Sequence, residues 1–95
     1  MTTSERAKLR SIASGLKDIV YIGKEDLTDN VIEQINVNLY AHEMIKIKVQ
    51  RGCDTPLKEL ANQIAEVCNA EVVETIGNKI VVYKKTKKEN FKHLL

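Results

Sequence analysis

The chain has 95 residues, with 15 Lys+Arg against 13 Asp+Glu, 43% hydrophobic and 29% charged residues, no Trp, one Phe, one Pro and four Gly. That is one domain's length with an ordinary globular composition, which excludes disordered, collagen-like and low-complexity classes. A formal charge of +2 is too small to announce a nucleic-acid partner, so the placement of the cations has to carry any such reading.

No apolar run approaches the roughly 18 residues a membrane span needs. Met1–Arg6 turns polar at once and lacks a signal-peptide core, so a cytoplasmic chain with no membrane partner is expected. Cys53 and Cys68 are a poor framework for a secreted miniprotein and have no Cys or His at ligand spacing, so both are read as reduced thiols and no metal is expected.

In chain order, Thr2 to Leu16 reads as a helix. Leu9, Ile12, Ala13 and Leu16 form its apolar stripe, and Arg6, Arg10 and Lys17 fall within a narrow arc on another side. Asp18 to Ile22 is a short β-branched and aromatic run closed by Gly23. Thr28 is a good N-cap for a second helix to about Ala41, with Val31, Ile32, Ile35 and Leu39 at helical spacing. Met44 to Gln50 alternates as a half-buried strand, with Ile45, Ile47 and Val49 on one face and Lys46, Lys48 and Gln50 on the other.

Thr55-Pro56 reads as N-cap and first residue of a third helix, buried along Leu57, Leu60, Ala61, Ile64, Ala65 and Cys68. Glu71–Ile76 and Lys79–Tyr83 are strands joined by Gly77-Asn78, a two-residue hairpin signal of the primed type. Residues from about Lys84 to Leu95 read as a loosely held basic tail. The expectation is one α/β domain over residues 1–95, ordered α-β-α-β-α-β-β, with three helices and a mixed four-stranded sheet.

Little converges toward catalysis. His42-Glu43 lacks a zincin's second His, the serines have no nucleophile-elbow context, and no dinucleotide fingerprint or P-loop is present. No enzyme, cofactor, metal or small-molecule substrate is expected. Cys68 reads as core. A thiol enzyme built on Cys53, in a polar loop, is the remote alternative. Tyr21, Tyr40 and Tyr83 are assigned to the core, which leaves no stacking platform.

The Gly23 turn is more telling. A glycine after a strand, then Lys24, then a helix N-terminus at Thr28 suits an anion, because free backbone N–H groups and the positive end of the helix dipole point outward there. Arg6, Arg10, Lys17, Lys46 and Lys48 could extend the site into a phosphate-tracking surface. Acidic residues crowd the same helix entrance: Glu25, Asp26, Asp29 and Glu33.

Five ordered segments resemble the CRM domain, specifically the bacterial YhbY-like single-domain proteins: Leu9-Arg10-Ser11-Ile12-Ala13, Ile22-Gly23-Lys24 with Leu27-Thr28, Ala41–Val49, Glu74-Thr75-Ile76-Gly77 with Ile80–Tyr83, and Lys88-Glu89-Asn90. The resemblance implies the element order read above. It also implies RNA as partner, for single-domain members ribosomal RNA in precursors of the large subunit, and a monomeric protein is expected. The alternative is a protein-interaction module of the same fold.

The resemblance also implies a Gly-x-x-Gly loop like the one with which KH domains clamp nucleotide backbones. Here the loop reads Gly23-Lys24-Glu25-Asp26. Asp tolerates left-handed backbone, so the loop shape should survive, while the carboxylates of Glu25 and Asp26 should oppose phosphate by about 1 kcal/mol per screened pair. Gly23, Lys24, Glu25, Asp26 and Thr28, with Arg6, Arg10, Lys17, Lys46 and Lys48, make up the expected RNA site.

Overall fold

The computed structural model describes residues 1–95. The elements are α1 (Thr3–Ala13), β1 (Asp18–Ile22), α2 (Asp29–His42), β2 (Met44–Val49), α3 (Leu57–Cys68), β3 (Glu71–Ile76) and β4 (Lys79–Tyr83). The four strands form one mixed sheet, as expected, in the order β1-β2-β4-β3. Only β1 and β2 are parallel neighbours. β4 lies between β2 and β3 and is antiparallel to both.

Period-two alternation sends the two sides of the sheet into two separate cores. Val20 and Ile22 of β1, Ile45, Ile47 and Val49 of β2, and Ile80 and Val82 of β4 pack against α2 (Ile35, Leu39) and α3 (Leu60, Ala61, Ile64, Cys68). The opposite face is covered by α1, whose Leu9 and Ala13 pack on Met44, Val73, Val81 and Tyr83. The layers are therefore helix, sheet, helix, and a side chain such as Leu9 or Ile35, fully removed from water, contributes about 1.5–3 kcal/mol.

The termini of the helices follow their local chemistry. A capping box starts α1: Glu5 N–H donates to Thr2 Oγ1 at 3.0 Å and Thr2 N–H to Glu5 Oε1 at 2.9 Å. The helix stops at Ala13, three residues short of the expected Leu16. The Thr28 hydroxyl caps α2 by accepting from Val31 N–H at 3.2 Å. α3 begins one residue later than expected, with Pro56 as N-cap and no side-chain cap. The Thr55 hydroxyl makes no cap bond and instead donates to Asp26 Oδ2 at 3.0 Å. At the β3–β4 turn Gly77 has φ +57°, and Asn78 has no positive φ, which fits the primed turn with glycine at its first central position.

The last twelve residues, 84–95, carry no helix or strand yet are fastened to the body, against the expectation of a loose tail. Glu43, completely buried and in a positive-φ C-cap (φ 70°), receives Thr86 N–H at 3.0 Å, Leu94 N–H at 2.8 Å and His93 Nδ1 at 2.6 Å. Leu94 also packs against the core on the α1 side of the sheet, as Ile12 and Leu16 do. Burial pushes the Glu43 carboxyl up, but the bonds from Leu94, His93 and Thr86 outweigh it and hold the group below its ordinary value.

Candidate nucleic-acid interface

Both parallel strands end on the same side of the molecule, and the loops that leave them touch. Gln50 N–H donates to Ile22 O at 2.8 Å. Asp26 accepts from the Cys53 thiol and, at 3.0 Å, from the Thr55 hydroxyl. The β3–β4 turn joins them, since Val49 N–H donates to Asn78 O at 2.8 Å. Crevices outside the carboxyl ends of parallel strands are the usual ligand positions of α/β sheets.

The glycine loop closes on itself, with Asp26 N–H donating to Gly23 O at 3.1 Å. Gly23 lacks a positive φ, and a Cβ placed on it would meet nothing nearer than Gln50 Oε1 at 3.9 Å. The fold itself therefore does not require a glycine there. What the glycine leaves is bare backbone, next to the exposed Lys24.

From this loop an open strip of sheet runs across all four strands. Tyr21 pairs with Lys48, Lys48 with Lys79, and Lys79 with Ile76. These four lie on the α1 side of the sheet, but α1 sits over the far half, on Met44, Val81 and Tyr83. Tyr21 is 52% exposed and Ile76 60%. Lys46 lies one step further in, and Lys79 Nζ makes a 3.1 Å ion pair with Asp18. The strip presents the Tyr21 ring, the aliphatic Ile76 side chain and the Lys48 ammonium group, with the Lys79 ammonium paired to Asp18.

A family model for the CRS1 / YhbY (CRM) domain matches residues 1–84. The chain belongs to the CRM family. Among similar proteins are Probable RNA-binding protein YqeI of Bacillus subtilis, 37% identical, with 92% of this chain and 91% of that protein covered. An RNA-binding protein of Haemophilus influenzae is 35% identical, with 88% and 85% covered. The solution structure of Staphylococcus aureus SAV1595 matches with a TM-score of 0.78 and 31% identity, covering 95% of this chain and 94% of that one.

At the CRM family's second loop glycine stands Asp26, with φ +59°. The left-handed backbone is kept, and the carboxylate is turned into the Cys53–Thr55 loop rather than outward. Glu25, Asp29 and Asp54 remain exposed, so the entrance of α2 keeps an acidic side. Thr28 spends its hydroxyl on Val31 N–H, leaving the N–H groups of Asp29 and Asn30 without an intrahelical acceptor.

The other expected cations divide. Lys48 adjoins the glycine loop. Lys46 and the exposed Lys17 line a groove of about 350 Å³ at the opposite end of β1. The exposed Arg10 lies in the last turn of α1. Arg6 points inward, donating to Val72 O and, at 3.1 Å, to Val73 O, where it holds the bulge of β3. These cations do not gather in one patch at the mouth of α2.

Three groups escaped the sequence reading. Tyr21 and Tyr40 are exposed rather than core, and only Tyr83 is buried. The alternation Val20-in, Tyr21-out, Ile22-in carried that signal for Tyr21. Lys79 was read only as a strand residue. Cys53 is half-buried, and burial, followed by its bond to Asp26, raises its thiol above the ordinary value, the opposite of what a nucleophile needs.

Proposed function

We propose that this CRM-family protein binds RNA, and that the RNA is ribosomal, in precursors of the large subunit. The observation that carries the reading is Gly23: a glycine that neither its own φ nor its neighbours demand, flanked by Lys24 and continuous with the Tyr21–Lys48–Lys79 strip. Bare backbone lets a ribose-phosphate chain approach closely. Lys24 and Lys48 offset its charge, and the Tyr21 ring offers a face to a splayed base. The path runs from the loop onto the sheet, away from Glu25 and Asp29. Binding is salt-dependent and weakly sequence-specific, because most of its contacts are to the backbone. The family names of YqeI and the Haemophilus influenzae relative support RNA as the partner.

Sedimentation of a cell lysate tests this function. The protein is expected to travel with large-subunit precursors and to return to the top of the gradient after ribonuclease treatment. Co-sedimentation that survives ribonuclease supports the rival reading, a protein-interaction module; no co-sedimentation at all overturns the ribosomal assignment.

A further inference from the structure

At the other end of α2 lies a second surface of the same chemistry. An open groove of about 790 Å³ runs between the ends of α2 and α3 and the C-terminal segment. Tyr40 and Asn36 line it from α2, Asn69 from the end of α3, and Lys84, Lys85 and Lys87 from the segment, with no carboxylate among its lining residues. Tyr40 is 55% exposed.

The backbone that carries these lysines is fastened at Thr86. Thr86, between Lys85 and Lys87, is buried. Its N–H donates to Glu43 Oε2 at 3.0 Å, its hydroxyl donates to Tyr40 O, and it accepts from Lys88 N–H at 3.2 Å. With Thr86 pinned inward, Lys85 and Lys87 are exposed on either side of it. Alternate residues of an extended chain stand about 6.6 Å apart, comparable with the step between successive phosphates of a nucleic-acid strand. Lys84 Nζ donates to Cys68 O at 3.0 Å, which offsets the negative end of the α3 dipole and leaves the charge of the other two lysines for a ligand.

We infer that the groove beside Tyr40, Lys85 and Lys87 is a second binding site for single-stranded RNA, so that one molecule bridges two RNA segments. The inference rests on the RNA reading of the glycine loop and adds a separate site to it. Cations at alternate positions suit a phosphate backbone. The Tyr40 ring suits a base face, and the Asn36 and Asn69 amides can both donate and accept at base edges. α2 has 14 residues, so at 1.5 Å per residue the two sites stand about 20 Å apart, too far for a very short strand to fill both.

The test is titration of the ¹⁵N-labelled protein with a uridine dinucleotide, read residue by residue by NMR. Two clusters of shifting amides are expected, one over Gly23–Thr28 with Tyr21 and Lys48, the other over Lys84–Lys88 with Tyr40 and Asn69. The Lys85→Glu/Lys87→Glu double variant, its fold checked by its unshifted core amides, is expected to lose the second cluster at least tenfold in affinity and keep the first; Lys24→Glu does the reverse. Tyr40→Phe is expected to keep the second cluster and Tyr40→Ala to weaken it. Shifts confined to the first cluster overturn the second site and leave the RNA function standing, and the same holds if an acidic peptide, but not RNA, moves the second cluster. No shifts with any RNA overturn both.

Discussion

The Asp26 carboxylate accepts a 3.0 Å hydrogen bond from the Thr55 hydroxyl, tying together the loops that leave the two parallel strands. This bond, with the one from Cys53, directs the Asp26 carboxylate into the protein, away from the face of the loop proposed to meet RNA. Asp26→Gly removes the carboxylate and suits the +59° φ, whereas Asp26→Ala removes it and leaves a β-carbon in left-handed backbone. Both lose the same bonds, so Asp26→Ala is expected to be less stable than Asp26→Gly by about 1 kcal/mol, measured by urea denaturation.

Gly23 and Gly77 separate ligand chemistry from folding. Gly23→Ala fits the fold and is expected to leave stability within about 0.5 kcal/mol of wild type, while RNA affinity falls about tenfold, or about 1.4 kcal/mol. Gly77→Ala, at φ +57°, is expected to cost about 1 kcal/mol of stability with little change in RNA affinity. Thermal unfolding and filter binding on the same two preparations check both.

Glu43 ties the C-terminal segment to the body through bonds from Thr86, His93 and Leu94. Its carboxyl is held below its ordinary value of 4.5, so its contribution is complete above the unfolded value and is lost as the pH falls below about 4.5 through the folded value. The stability gap between wild type and Glu43→Gln is therefore expected to be full above about pH 4.5 and to close in acid. At pH 7 the substitution is expected to cost about 2–3 kcal/mol, the scale of bonds to a charged group, and to speed hydrogen exchange at the Thr86 and Leu94 amides.

Arg6 has a role in the fold. Arg6→Ala removes the donor to Val72 O and Val73 O and is expected to cost about 1.5–3 kcal/mol, with RNA affinity unchanged once the protein is folded. A matched loss of affinity in the folded variant would return Arg6 to the interface.

The fold was legible wherever the signal was local. Alternation in β2, the Thr28 cap and the Gly77-Asn78 turn each depend on neighbours within a few residues, and the element order follows from them. Three of the differences share one cause, contacts between distant parts of the chain. Nothing near Thr55 in the sequence shows that its hydroxyl turns to donate to Asp26, 29 positions earlier. Arg6 meets its partners 66 and 67 residues away. The basic C-terminal segment looked loose because its anchor, Glu43, is a lone acid near the end of a helix until the fold brings His93 and Leu94 to it. The glycine loop could be located from sequence. The strip of sheet beside it could not, since that required knowing which half of the face α1 leaves open.

The most direct measurement is the slope of log K against log salt for a structured ribosomal RNA fragment, in wild type and in Lys24→Ala and Lys48→Ala. If Gly23, Lys24 and the adjoining strip hold the RNA backbone, each substitution weakens binding and makes the slope shallower by about 0.7 to 1. Slopes and affinities identical to wild type in both variants contradict it.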